Sequence, residues 1–307
     1  MSERKLVVLG TASQVPGRAR NHNGYLLRFD EEGLLFDPGE GTQRQMIFSR
    51  VSVSQVTRIF ITHFHGDHCL GLAGLIQRLS LDQVEHVIDV YYPSSGQIFY
   101  EHLRDSCLYH GTAVLREHPI TTSGVIDSCE KFTIEAVELE HSVETYGYRI
   151  SEHSTVTLNP EQLNDLGIIG PDVGRIKREG RLSHGGKTFH LHEVSTPLKG
   201  QVFSHIMDTG VCEGAHRLAA DADLCVMEAT FLSDREETAR EYGHLTAAQA
   251  GNIAREAGVK KLVLTHFSQR YLSLELFAQE AGAFHDDVVI AKDGDVVFMP
   301  KRTRRHH

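Results

Sequence analysis

The sequence predicts an α/β fold in which two β-sheets stack face to face and helices cover their outer sides. Short apolar runs alternate with helical stretches, and the runs occur both in hairpin-like clusters and in helix-separated order. The 307 residues are 40% hydrophobic and 23% charged, which is enough for a filled core in one large domain or two smaller ones. No run of eighteen apolar residues occurs, so no membrane-spanning helix is expected.

The individual elements follow from these runs. Helices are predicted at residues 67–81, 95–106, 159–166, 246–257 and 272–281, with Thr246 as an N-cap and Gly258 just beyond the end of that helix. Strands are predicted at 5–9, 25–28, 33–37, 58–62, 88–92, 132–137, 146–150, 202–207, 224–227, 261–265, 288–291 and 296–300. Residues 159 to 200 break the pattern with seven glycines and mixed charges, which indicates an excursion from the core.

Composition narrows the class of protein. The five cysteines are odd in number and form no CxxC pair, so neither a disulfide framework nor a cysteine zinc site is expected, and a reducing cytoplasm fits best. The first residues lack the long apolar stretch of a secretory signal. The net charge of −10 argues against a general nucleic-acid binder, because phosphate backbones require basic surface, unless that charge is concentrated locally.

The strongest local signal is the segment THFHGDH at residues 62–68, which follows an apolar strand and precedes a helix. A turn there can direct His63 and His65 to one position, and Asp67 and His68 to a second. Imidazole and carboxylate ligands without a thiolate suit zinc, with manganese or iron as alternatives. Two adjacent pairs of ligands indicate two metals.

Further candidate ligands come directly after predicted strands. His141 follows the stretch at 132–140, Asp208 follows 202–207, and His266 follows 261–265. Functional sites in α/β sheets gather at the carboxyl ends of strands, so these three side chains are expected to join the metal site.

This order of ligands resembles that of the metallo-β-lactamase superfamily. The resemblance implies a four-layer αββα sandwich with two Zn²⁺ ions per chain. It assigns His63, His65 and His141 to the first ion and Asp67, His68 and His266 to the second, with Asp208 bridging. Position 65 carries histidine where diiron relatives carry glutamate, which favours hydrolysis over redox chemistry.

More segments narrow the resemblance to the ribonuclease Z family. They are FDPGEGTQRQ at 36–45, GYR at 147–149, EATF at 228–231, GHLT at 243–246 and HFSQRY at 266–271. Two positions depart from the family pattern: Pro38 replaces a cysteine, and Met207 replaces the glycine before Asp208. A bulky Met207 could narrow the site or alter the backbone beside the ligand.

The resemblance also implies an activity, namely removal of the 3′ trailer from precursor tRNA to leave a 3′-hydroxyl. Asp67 would accept the proton of the attacking water, His244 would assist the leaving oxygen, and Glu228 would orient His244. The excursion resembles the family's glycine-proline arm, which grips tRNA. The implied substrate-binding residues are Gly170, Pro171, Arg175, Lys177, Arg178 and Arg270.

Residues 170–187 carry five basic and two acidic side chains, a local charge of +3 that answers the objection from net charge. We therefore expect a single domain over residues 1–307 with an arm inserted at about 159–199. The resemblance implies a cytoplasmic homodimer without membrane association, in which each arm serves the partner's active site. The basic tail at 301–307 is interpreted as a solvated chain end, with contact to RNA as the alternative.

Two other functions remain open at this point. One is a hydrolase of small esters, similar to phosphodiesterases or arylsulfatases of the same fold, which Met207 slightly favours and the arm disfavours. The other is a tRNA-binding relative with weak catalysis, which the full set of candidate ligands disfavours. Cleavage of precursor tRNA, measured beside a small phosphodiester, separates all three.

Overall fold

The structure is a computed structural model that describes residues 4–302. Residues 303–307, which make up most of the basic tail, lie outside the described residues. The described chain divides into two compact units. The first comprises residues 4–129, 133–150 and 202–300, and the second comprises 130–132, 151–201 and 301–302.

The described residues form eighteen strands and ten α-helices. The strands are β1 (Lys5–Gly10), β2 (Gly24–Phe29), β3 (Glu32–Phe36), β4 (Arg58–Phe60), β5 (Ile88–Pro93), β6 (Leu115–Ile120), β7 (Gly124–Ser128), β8 (Phe132–Glu138), β9 (Tyr146–Glu152), β10 (Thr155–Leu158), β11 (Arg181–His184), β12 (Lys187–His190), β13 (Ser195–Leu198), β14 (Val202–Ile206), β15 (Leu224–Glu228), β16 (Leu262–Thr265), β17 (Val288–Ile290) and β18 (Val296–Phe298). The helices are α1 (Thr42–Phe48), α2 (Gly66–Cys69), α3 (Leu72–Leu81), α4 (Gln97–Arg104), α5 (Pro160–Asp165), α6 (Pro171–Glu179), α7 (Glu213–Ala219), α8 (Glu236–Tyr242), α9 (Ala247–Glu256) and α10 (Glu275–Gly282).

The first unit contains two seven-stranded sheets, which confirms the predicted two-sheet sandwich. One sheet has the order β18-β1-β2-β3-β4-β5-β6, and the other has the order β17-β16-β15-β14-β9-β8-β7. Strands β3 to β6 pair in parallel in the first sheet, as do β14 to β17 in the second. The carboxyl ends of these parallel strands carry the loops from which α/β proteins build their sites.

Apolar side chains fill three layers of this unit. Buried residues of α1 and α3, among them Met46 and Leu75, pack on the first sheet, and those of α7, α9 and α10 pack on the second. Between the sheets, Phe36 of β3 contacts the rings of Phe60, Tyr148 and Phe203, with centroids 4.8, 6.2 and 5.4 Å away. Burial of such rings is a major source of stability and fixes the two sheets relative to each other.

The predicted caps of the helix at 246–257 are confirmed. The Thr246 hydroxyl accepts from the backbone N–H of Gln249, whose side chain in turn accepts from the N–H of Thr246. Gly258 follows the helix with a φ of +69°, a conformation that glycine adopts without steric cost.

The single helix predicted at 67–81 was wrong, because the structure divides it into α2 and α3. The Gly71 N–H donates to the carbonyl of Pro38, and a β-carbon at position 71 would lie 2.0 Å from the carbonyl oxygen of Gly39. The close approach of another chain segment therefore bends the backbone here, which helical periodicity does not reveal.

The second unit has a core of its own. Strands β10 and β13 pair antiparallel, β11 and β12 form a hairpin, and α5 and α6 lie between β10 and β11 in sequence. The buried residues of this core are Leu163, Ile168, Ile176, Leu182 and Val194. The segment predicted as an excursion is thus folded. Helix α6 and the four strands of this unit were missed, because the strands have four residues each and α6 carries a glycine and five charged residues.

None of the helices within residues 4–302 combines the length and the apolar character needed to cross a membrane.

Candidate metal centre and active site

Three histidines and one aspartate converge in the first unit. His63 and His65 lie between β4 and α2, His141 follows β8, and Asp208 follows β14. The Nε2 atom of His63 is 2.9 Å from Nδ1 of His65 and 3.6 Å from Oδ2 of Asp208. Nε2 of His141 is 3.3 Å from the same His65 nitrogen. One atom from each residue can therefore reach a single cation.

A second group lies beside the first. Asp67 and His68 belong to α2, and His266 follows β16. The Nε2 atoms of His68 and His266 are 3.3 Å apart, and they lie 3.3 and 3.4 Å from Oδ2 of Asp67. All three residues are buried, so these atoms define a second position for a cation.

Asp208 connects the two groups through its two oxygen atoms. Oδ2 lies 3.6 and 3.8 Å from Nε2 of His63 and His141, whereas Oδ1 lies 3.1 and 3.3 Å from Nε2 of His266 and His68. Asp208 and His266 both have positive φ, 44° and 62°, which non-glycine residues rarely adopt. Backbone strain of this kind clusters at functional sites, where it directs a side chain from the end of a strand.

The electrostatics of these residues fit a divalent cation. Within residues 4–302, the buried Oδ1 atom of Asp208 has no hydrogen-bond partner. Burial lowers the pKa values of His63, His65 and His141, which leaves their nitrogen lone pairs available to a metal. Burial would also lower the pKa of His68, but Asp208, Asp67 and Asp37 raise it well above its usual value. Positive charge is therefore stabilised at the second position.

In two of these histidines, the ring nitrogen that faces away from the ligand groups has a partner that fixes the orientation of the ring. Nδ1–H of His141 donates to the carbonyl of Gly243 at 3.0 Å, and Nδ1 of His266 lies 2.7 Å from the hydroxyl of Thr230. Metal-binding histidines are oriented in this way by an outer layer of hydrogen bonds.

A carboxylate and an imidazole adjoin the two groups. His244 Nδ1 lies 2.9 Å from Oε1 of Glu228, which is completely buried at the end of β15. Burial alone would lower the pKa of His244, but the charge and hydrogen bond of Glu228 raise it to about 9. The His244 side chain is 14% exposed, and its ring centroid lies 5.3 Å from that of His141 and 5.4 Å from that of His266. This pair can hold a proton beside the candidate metal centre.

Comparison with known proteins identifies the family of this chain. Residues 17–106 match the family model described as metallo-beta-lactamase superfamily, and residues 194–267 match the one described as beta-lactamase superfamily domain. The chain is 52% identical to a ribonuclease Z of Nocardia farcinica and 54% identical to one of Streptomyces coelicolor, in both cases over 98% of this chain and 100% of the relative. The chain belongs to the ribonuclease Z family.

A solved structure supports the fold of this ribonuclease Z family member. The human tRNase Z, short form, superposes with a TM-score of 0.72 and 25% identity, covering 97% of this chain and 100% of that protein. The fold is therefore that of the metallo-β-lactamase superfamily, in which divalent metals bind. The predicted fold and family are confirmed.

One contributor to the site was missed by the sequence reasoning. Thr230 donates from its hydroxyl to Oε2 of Glu228 at 2.7 Å and also contacts Nδ1 of His266. Thr230 thus connects the second ligand group to the Glu228–His244 pair. It lies within the EATF segment that resembles ribonuclease Z, but a threonine gives no signal of its own in a sequence.

The predicted substrate-binding residues of this ribonuclease Z family member lie in both units. Gly170 and Pro171 begin α6 in the second unit, and Arg175, Lys177 and Arg178 are exposed on that helix. Arg270 belongs to the first unit, where its guanidinium lies 5.0 Å from the ring centroid of Phe231, which in turn neighbours His244. Arg270 therefore lies in the same unit as the metal-binding groups.

Met207, which departs from the ribonuclease Z pattern, has no solvent-accessible surface. Its side chain therefore does not line an open cleft. Any influence on turnover would act through the backbone position of Asp208.

Proposed function

We propose that this chain is a zinc-dependent endoribonuclease that removes the 3′ trailer from precursor tRNA and leaves a tRNA 3′-hydroxyl. The observation that carries this proposal is the position of Asp208, which presents one oxygen to each of two ligand groups beside the Glu228–His244 pair. A pair of metals next to an acid–base pair suits phosphodiester hydrolysis, and the family is one of ribonucleases.

Two Zn²⁺ ions per chain are proposed as cofactors. His63, His65 and His141 would hold one ion, Asp67, His68 and His266 the other, and Asp208 both. Five imidazoles and two carboxylates without a thiolate match the donors that zinc accepts in catalytic sites. Bound there, two cations would lower the pKa of a water molecule and neutralise charge on the scissile phosphate.

The protein's own groups would move the protons. Asp67 accepts the proton of the attacking water as the new oxygen–phosphorus bond forms. His244 donates a proton to the leaving 3′ oxygen as the old phosphorus–oxygen bond breaks, and Glu228 fixes the tautomer and charge of His244. The products are a tRNA with a 3′-hydroxyl and a trailer with a 5′-phosphate.

Precursor tRNA is proposed to bind the second unit, which we interpret as an arm at about 159–199 inserted into a single domain over residues 1–307. Arg175, Lys177, Arg178 and Arg181 are all exposed. The carboxylates near Arg175 are at 3.6 and 3.8 Å on the same helix, and exposed pairs of this kind are weak. These cations are therefore available to phosphates. Arg270 would contact RNA nearer to the scissile bond.

We further propose a cytoplasmic homodimer in which each arm serves the partner's active site. The five cysteines are free, which suits a reducing compartment. Sedimentation velocity should give the mass of two chains, and a species of 34.3 kDa at micromolar concentration would contradict the dimer.

Removing the metals provides a direct test of the proposed centre. Protein saturated with Zn²⁺ should contain two ions per chain when its metal content is measured by inductively coupled plasma mass spectrometry. Removal of the ions with a chelator should abolish cleavage of precursor tRNA until Zn²⁺ is restored. His118→Ala is a matched control, because His118 contacts Asp89 at 2.6 Å without belonging to either ligand group. One ion per chain in fully active protein would refute the two-metal assignment.

The substrate requires a separate comparison. Precursor tRNA and bis(4-nitrophenyl) phosphate should both be hydrolysed, with precursor tRNA strongly preferred in kcat/KM. Hydrolysis of the small diester alone would favour a small-ester hydrolase, and binding of tRNA without cleavage of either substrate would favour a tRNA-binding relative with weak catalysis.

A further inference from the structure

Asp37 is a buried carboxylate that belongs to neither ligand group. It follows β3 with a φ of +46° and has no exposed surface. Its Oδ1 atom accepts from the backbone N–H of Thr62 at 2.8 Å, and the Thr62 hydroxyl lies 3.0 Å from both oxygens. Asp37 is therefore a fully buried carboxylate that accepts hydrogen bonds in the interior.

Through these bonds Asp37 reaches both candidate metal positions. Nδ1–H of His68 donates to Oδ2 of Asp37 at 3.1 Å, which leaves the His68 Nε2 lone pair facing the second ligand group. The Thr62 hydroxyl gives its one proton to Asp37, so it accepts Nδ1–H of His63 at 3.0 Å. The His63 Nε2 lone pair then faces the first group. One carboxylate thus sets the tautomers of a ligand in each group.

His205 of β14 holds this carboxylate from the opposite sheet. Its Nε2–H donates to Oδ2 of Asp37 at 3.2 Å. The centroid of its ring lies 5.1 Å from that of Tyr25 and 4.7 Å from that of Phe36. The side chain is completely buried, and in the part of the chain that the structure describes its Nδ1 atom has no hydrogen-bond partner. A core position between two aromatic rings would pack a phenyl ring without leaving a nitrogen unsatisfied. The contribution that distinguishes imidazole here is its bond to Asp37.

We propose that His205 is a positioning residue for the metal centre: by holding Asp37, it fixes the orientation of His68 directly and of His63 through Thr62. This inference rests on the proposed metal centre and extends it to a residue that would touch neither metal nor substrate. Removing the His205 donor leaves Oδ2 of Asp37 free to shift, and both histidines then lose their fixed orientation.

The test compares variants with and without a donor at position 205. In His205→Gln the amide nitrogen stands four bonds from Cα, as Nε2 does in histidine, so the bond to Asp37 is kept. His205→Met and His205→Phe fill the volume without a donor. Zn²⁺ affinity is measured on metal-free protein by competition with a chromophoric chelator, and the visible absorption spectrum is recorded after Co²⁺ substitution. Ser204→Ala is the matched control, because it removes a different buried hydrogen bond, to the Leu218 carbonyl, from the same strand.

We expect His205→Met and His205→Phe to lose about 10- to 100-fold in Zn²⁺ affinity and to shift the Co²⁺ spectrum, as outer-layer substitutions at metal sites do. His205→Gln and Ser204→Ala should remain close to wild type. Equal affinity in all variants, or an equal loss in the glutamine and methionine variants, would overturn the proposal while leaving the metal centre intact. If wild-type protein binds no Zn²⁺, the proposed function itself fails. Should either donor-free variant not fold, the other carries the comparison.

Discussion

Turnover of precursor tRNA should fall by at least about 100-fold when His244 is replaced by alanine, the usual size of a lost general acid. The reason is the geometry of the pair: Glu228 is buried, contacts His244 Nδ1 at 2.9 Å and raises the pKa of His244 to about 9. Glu228→Gln should also lower turnover, because the amide lacks the charge that stabilises the protonated ring. Single-turnover cleavage of a labelled precursor at saturating enzyme measures this step.

The binding of precursor tRNA should change little in His244→Ala, because His244 acts on the leaving oxygen. His216→Ala is a matched control, since His216 forms a similar pair with Glu256, at 3.2 Å, on the protein surface. It should cleave like wild type. Unchanged turnover in His244→Ala would remove that residue from the mechanism, and a large loss of affinity with normal turnover would make it a binding residue.

Removing residues 159–194 from the second unit should weaken cleavage of precursor tRNA mainly through an increase in KM. Leu158 of β10 and Ser195 of β13 are direct partners in the antiparallel pair, so residues 159–194 can be replaced by an Asn-Gly turn that closes β10 onto β13. Hydrolysis of bis(4-nitrophenyl) phosphate should survive, because every proposed metal ligand lies in the first unit.

A gentler variant keeps the arm folded. Changing Arg175, Lys177, Arg178 and Arg181 to glutamine leaves the buried Ile176 and the rest of the small core in place. The salt dependence of tRNA binding should flatten, because each lost phosphate contact removes a released counterion.

An equal loss of activity on both substrates after the deletion would mean that the arm supports folding, and unchanged tRNA cleavage would mean that the arm does not bind tRNA.

The sandwich was predictable because its strands are buried on both faces. Strands β14 and β16, for example, are buried at every position and mostly apolar, and Asp208 and His266 follow directly after these buried runs. The ligand candidates could be found for the same reason. Strand β6 and helix α1 were missed, since β6 has a single fully buried residue and carries charged residues, and α1 has two buried residues only.

The support behind the ligands was not predictable. Thr62, Thr230 and His205 act through contacts between residues far apart in sequence, such as the bond from His205 to Asp37, 168 positions away. No local pattern marks a threonine hydroxyl that meets a histidine ring. The sequence therefore indicates which atoms would face a metal, whereas the structure is needed to see what holds them there.

The small core of the second unit has a consequence for its folding thermodynamics. Five buried apolar side chains stabilise about fifty residues, far fewer per residue than in the sandwich, and units of this kind open locally at a lower free energy than the whole protein. An RNA that binds the second unit only in its folded state stabilises that state against local opening by mass action. The amides of α6 should then exchange with deuterium faster than those of β15 in the free protein, and slow selectively when a precursor is present.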